Sequence, residues 1–184
     1  MSGVSHGAVI TTLVGEEVVG DEKSQGTLAA PNGSLYGMPY YNRRVVKFNP
    51  EDKSMTGIGP VFIDLDASDG KWKQGVMTDT GVIYSFPSGF GSWYDRGILK
   101  IDTNTDDVTE DDIHPYPEEP HEDIAAMWLS CALALDGCIY FMPAGARHIM
   151  KLDPNNDDIM TSVGDDLGDE EEKYIGTVIG IDGH

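Results

Sequence analysis

The chain has 184 residues, 40% of them hydrophobic, which is enough for one domain with a sizeable core. Its 32 acidic residues against 12 basic ones give a formal charge of −20, and a surface of that sign repels phosphate backbones and anionic lipid headgroups. Nucleic acid and membrane surfaces are thereby excluded as partners, whereas proteins and small neutral or cationic ligands stay open.

The 22 glycines and 10 prolines are spread between short β-rich runs, a distribution that implies many tight turns and an all-β chain. No stretch shows a sustained helical period with caps. Met1-Ser2-Gly3-Val4-Ser5-His6 has no basic segment leading into an apolar core, so no secretory signal is visible. Residues 8–14 read as the outer strand of an incomplete unit spanning 8–23, by analogy with 54–59 and 159–164.

Three full copies of one unit follow, at 24–71, 72–125 and 126–173. The first anchor is Gly-x-(Leu/Ile)-Tyr-x-x-Pro: Gly33-Ser34-Leu35-Tyr36-Gly37-Met38-Pro39, Gly81-Val82-Ile83-Tyr84-Ser85-Phe86-Pro87 and Gly137-Cys138-Ile139-Tyr140-Phe141-Met142-Pro143. The second runs Arg43-Arg44-Val45-Val46-Lys47-Phe48-Asn49-Pro50, Arg96-Gly97-Ile98-Leu99-Lys100-Ile101-Asp102-Thr103 and Arg147-His148-Ile149-Met150-Lys151-Leu152-Asp153-Pro154. Nine residues before each anchor glycine stand Ser24, Trp72 and Trp128, and the same offset from Gly183 gives Tyr174, so 174–184 opens a fourth copy. Each copy reads as four short strands, placed in the middle copy near 72–78, 81–86, 96–101 and 107–110.

Asn32-Gly33, Asp136-Gly137 and Asp182-Gly183 predict two-residue hairpins in which both central residues take positive φ, and Thr80-Gly81 predicts a different turn for the middle copy. A turn at Asp136-Gly137 also breaks the apolar stretch 124–146, which therefore does not read as a membrane span. With that turn Leu135 faces Cys138 and Cys131 faces Met142, so the two cysteines lie roughly four residues apart along the sheet, about 13 Å, beyond disulfide reach. Free thiols and the missing leader point to the cytoplasm.

These units resemble the blades of β-propellers of the kelch, NHL and YVTN kind, over about residues 8–184. They are similar above all to tandem propeller repeats of microbial eukaryotes that read Trp-x-x-Gly-Val-x-x-x-(Asn/Asp)-Gly-x-Ile-Tyr-x-x-Pro. The resemblance implies a propeller segment of four-stranded antiparallel blades. The kelch double glycine and the WD-repeat Trp-Asp dipeptide are absent, so no catalytic residue is carried over. Three complete copies and two partial ones fall short of the four to eight blades of a closed ring. The expectation is an incomplete ring, belonging to a longer chain or completed by a homodimer.

Candidate binding residues are of two kinds. Trp72, Trp128 and Tyr174 recur at one repeat position, where they form either an aromatic ring around a central pocket or the packing between blades. Phe90, Trp93 and Tyr94 lie in the glycine-rich middle loop Ser88-Gly89-Phe90-Gly91-Ser92-Trp93-Tyr94-Asp95, a natural recognition loop on a rigid sheet.

For metal, Asp102, Asn104 and Asp106 place oxygens at alternating positions as a calcium loop does, but the EF-hand glycine and the twelfth-position glutamate are missing, and Asx-turns need no metal. His114 and His121 sit among carboxylates in a proline-rich segment that reads as an extended loop. No phosphate loop, nucleophile elbow or zinc-protease motif occurs. The leading expectation is a non-enzymatic binding or scaffold module. The alternative is a fragment of a metal-dependent lactonase or lyase propeller, whose carboxylates and histidines would lie at inner-strand ends. Ser24, Trp72, Trp128 and Tyr174 stand there instead.

Overall fold

A computed structural model describes residues 24–63, 70–87, 96–111, 127–168, 170 and 173–180. The partial unit 8–23, the aromatic loop with Phe90, Trp93 and Tyr94, and the segment with His114 and His121 lie outside the described residues. Among those described there is no helix, and none long and apolar enough to cross a membrane.

Twelve strands form three four-stranded antiparallel sheets in simple meander order. The first sheet holds β1 (Ser24–Ala29), β2 (Leu35–Pro39), β3 (Val45–Phe48) and β4 (Met55–Ile58). The second holds β5 (Trp72–Met77), β6 (Val82–Pro87), β7 (Ile98–Asp102) and β8 (Asp107–Asp111). The third holds β9 (Trp128–Leu133), β10 (Ile139–Pro143), β11 (Ile149–Asp153) and β12 (Ile159–Val163).

The three copies are superposable in register. Tyr36 pairs with Leu28 and Lys47, Tyr84 with Val76 and Lys100, and Tyr140 with Ala132 and Lys151. Each innermost strand carries a one-residue bulge just after its first residue, at Ser24/Thr27, Trp72/Gly75 and opposite Met142/Pro143. A bulge repeated at one place bends every inner strand alike. The bend brings β1 close against β5: a Cβ added at Gly26 (φ +75°) would lie 2.3 Å from the Lys73 carbonyl oxygen.

The hairpins correct the two-residue expectation. Ala30 pairs with Ser34, Thr78 with Val82 and Ala134 with Cys138, leaving three-residue loops in which only the last residue, Gly33, Gly81 or Gly137, takes positive φ. This is a type I turn followed by a glycine bulge, so one glycine suffices and Thr80-Gly81 serves as well as Asn32-Gly33. The register shifts by one: Cys131 faces Phe141, not Met142, and both cysteines are free.

Two apolar layers join the sheets. Met38, Val45, Phe62, Trp72, Ile83 and Leu99 fill the space between the first and second, with Phe62 edge-on to Trp72 at 4.8 Å. Phe86, Ile98, Trp128, Phe141, Met150 and Leu152 fill that between the second and third, with Phe86 5.5 Å from Trp128. Strand alternation sends odd and even residues to opposite neighbours, so the middle sheet is buried on both faces.

Candidate functional site

Polar groups at the rim of these layers form a repeated clamp. Each anchor tyrosine lies across the strand pair from an anchor lysine, whose ammonium stands 5.3–5.8 Å from the ring centre in all three sheets. In the first sheet the Tyr36 hydroxyl donates to Asp106 at 2.7 Å and Lys47 reaches the same carboxylate at 2.6 Å. Asp106 belongs to the β7–β8 turn of the next sheet and sits at φ +64°. In the second sheet Tyr84 donates to Asp158 at 2.8 Å and Lys100 also bonds Asp158, from the β11–β12 turn of the third sheet at φ +55°. An aspartate tolerates this left-handed position better than bulkier residues do.

These contacts shift proton affinities together. Burial alone would raise the Asp106 carboxyl, but the bonds from Lys47 and Tyr36 win and hold it below the usual carboxylate value. Burial and the bond to Asp158 push the Tyr84 phenol up to about 12. Burial pulls Lys100 down, yet its bonds to Asp158 and Asp111 outweigh it and the amine ends above its ordinary value.

The third sheet has the same Tyr–Lys pair without an incoming aspartate among the described residues. Tyr140 donates instead to Asp136 of its own hairpin at 2.9 Å, and Lys151 lies 3.6 Å from that carboxylate. Around the pair the sheet is open. Met38 and Val45 in the first sheet, and Phe86 and Ile98 in the second, are buried, but the matching Met142 and Ile149 are only half-buried. With Ala132, Leu135, Tyr140 and Val178 they line a cleft of about 590 Å³. Val178 is 91% exposed.

Residues 177–179 border this cleft. Lys173 N donates to the Ala144 carbonyl as Lys71 N does to Tyr40, and Ser130 bonds Thr177 through their hydroxyls at 2.6 Å. Tyr174, which follows, is 43% exposed, whereas Trp72 and Trp128 are buried and donate their indole N–H to the carbonyls of Gly97 and His148.

The acidic loops are shaped by their own backbone. Asp102 accepts from Asn104 N, as Asn49 does from Glu51 N and Asp153 from Asn155 N, three equivalent Asx-turns. Asp106 is held by Lys47 and Tyr36. Among the described residues no three His, Cys, Asp or Glu side chains gather as a metal site. Burial pushes the Cys131 thiol up to about 12, which disfavours its thiolate.

Among solved structures the chain is similar to virginiamycin B lyase of Staphylococcus aureus, with TM-score 0.59 and 13% identity over 89% of this chain and 48% of that one. The fold is that of a β-propeller segment. It is similar also to a candidate 6-phosphogluconolactonase from Bacteroides uniformis (TM-score 0.59, 14% identity, 87% and 45% covered). A third likeness is to hydrazine synthase of Kuenenia stuttgartiensis (0.58, 13%, 98% and 44%). The chain spans just under half the length of these proteins. No family model and no curated protein matches the sequence. Identities this low establish the fold and not the activity.

Proposed function

We propose that this chain is a non-enzymatic binding or scaffold module that takes a protein, or a small neutral or cationic ligand, on the open face of its third blade. The observation that carries this reading is the half-buried apolar surface of Met142 and Ile149 beside Tyr140 and Lys151, where the matching apolar residues of the other two blades are buried, with the exposed Val178 at its edge. Exposed apolar surface rimmed by polar groups is the usual mark of an interaction site. The charge of −20 supports partners other than nucleic acid or anionic membrane. Phe90, Trp93 and Tyr94 stay in the proposal as a second recognition element.

An enzyme reading draws on the lyase and lactonase among the structural relatives. It is the weaker one, because the first residues of the three inner strands are Ser24, Trp72 and Trp128, with neither carboxylate nor imidazole among them. A photo-reactive residue in place of Val178, compared with one in place of Glu51 on a distant turn, tests the binding reading in host cells. A discrete adduct at 178 alone supports it; the same diffuse pattern at both positions counts against it. Turnover of a lactone that requires added divalent metal would contradict the non-enzymatic part.

A further inference from the structure

The geometry points to a specific occupant for the open face: a further sheet of this same repeat, recognised through an aspartate at the left-handed position of its third turn, which Tyr140 and Lys151 would grip. The inference rests on the proposed binding reading of that face and names its partner.

Two occupied examples inside the chain show the recognition. Tyr36 and Lys47 take Asp106, and Tyr84 and Lys100 take Asp158, in each case from the sheet stacked next and from the positive-φ residue just before its outermost strand. Tyr140 and Lys151 stand in the same register on the same kind of face. The way into a further sheet is also laid: Lys173 repeats the backbone bond of Lys71, and Thr177 is tied to Ser130 of the innermost strand β9. Residues 174–180 belong to no ladder among the described residues, so a strand is free to pair there.

Charge narrows the choice. The first sheet of a second copy would present Lys53, which occupies the left-handed turn position (φ +61°) held by Asp106 in the next sheet. A lysine facing Lys151 repels, so head-to-tail closure through that sheet is disfavoured and an aspartate-bearing sheet is selected. Asp136 acts meanwhile as a stand-in. The occupied sheets carry the uncharged Asn32 and Thr80 at its position, and Asn32 Nδ2 donates to the incoming turn at the Thr103 carbonyl, 2.7 Å away. Asp136 cannot make that bond, so Asp136→Asn should tighten docking.

The test extends the whole chain after His184 with a second copy of residues 139–163, which brings its own Asp158 turn in the natural repeat frame. Residue-resolved methionine oxidation reads the face: Met142 is half-buried now, while its counterpart Met38 is fully buried and serves as reference. The extension should slow Met142 oxidation at least about tenfold, toward the Met38 rate, and either Asp158→Lys in the appended copy or Lys151→Met should undo the protection. Equal protection with aspartate or lysine in the appended turn would overturn the inference while leaving a sheet-binding face. No protection with any extension would overturn both. In case the extended chain folds poorly, a labelled peptide of residues 149–163 is titrated onto the unextended chain. It should bind at least about tenfold tighter than its Asp158→Lys form, and equal affinity would overturn the inference.

Discussion

Asp158→Ala against Asp136→Ala separates a clamp between stacked blades from an ordinary surface ion pair. Asp158 is 13% exposed as a side chain and serves both Tyr84 and Lys100, the latter 24% exposed. Removing its carboxylate strands the buried Tyr84 hydroxyl, which costs about 1–3 kcal/mol, whereas Lys100 keeps Asp111 at 3.2 Å and so limits the further loss. The expected destabilisation is about 2–3 kcal/mol, a large part of the roughly 5–15 kcal/mol that holds a domain together. Asp136 binds a tyrosine and a lysine in the same chemical pattern, but its side chain is 46% exposed, so its removal should cost only about 0–1 kcal/mol. Urea unfolding of the three proteins measures both values, and a Tyr84→Phe/Asp158→Ala double-mutant cycle should show coupling above about 0.5 kcal/mol. Equal losses at 136 and 158, or a cycle that closes additively, would refute burial between sheets as the source of the strength.

Gly26→Ala should destabilise by about 2 kcal/mol or more, since it combines positive φ with backbone 2.3 Å from the new Cβ, while Gly137→Ala meets only the movable Asn155 amide and should cost about 1 kcal/mol. Urea midpoints rank the two, and a reversed order would contradict the close approach of β1 and β5. The pH profile follows from the shifted groups. The lowered Asp106 carboxyl contributes stability above about pH 4 that is lost as pH falls through its folded value. The raised Tyr84 phenol contributes stability that is lost as pH climbs from about 10 toward 12. Asp106→Asn should flatten the acid limb and Tyr84→Phe the alkaline one, and unchanged limbs would contradict these assignments. Calcium at 10 mM should leave the urea midpoint unmoved because Lys47 already holds Asp106; a site with Kd near 1 mM would add about 1.4 kcal/mol.

The strands were legible because the repeat presents the same pattern three times: in the middle copy the strand expected near 81–86 is β6, Val82–Pro87. The hairpins were misread because Asn-Gly and Asp-Gly favour a two-residue turn, and the opposing signal was Pro31, whose fixed φ near −65° suits the first corner of a type I turn. That one-residue difference moved the partner of Cys131 from Met142 to Phe141. The clamp is not legible locally because the aspartate is 58 to 74 residues from the tyrosine and lysine that hold it, and no local spacing joins Tyr36 to Asp106 or Tyr84 to Asp158. Its trace was nevertheless present: tyrosine in the first anchor, lysine in the second and aspartate in the following turn recur from copy to copy, with Lys53 as the exception. Nothing local distinguishes Met142 from Met38 either, since exposure of the third sheet depends on what stacks against it.

Inter-sheet proton–proton contacts in a nuclear Overhauser spectrum of the isolated chain test blade stacking most directly. Phe86 should show contacts to Trp128, Phe62 to Trp72, and the Tyr84 ring to the Asp158 methylene. Absence of all three, with the contacts inside each sheet intact, would mean that the sheets form without stacking as described.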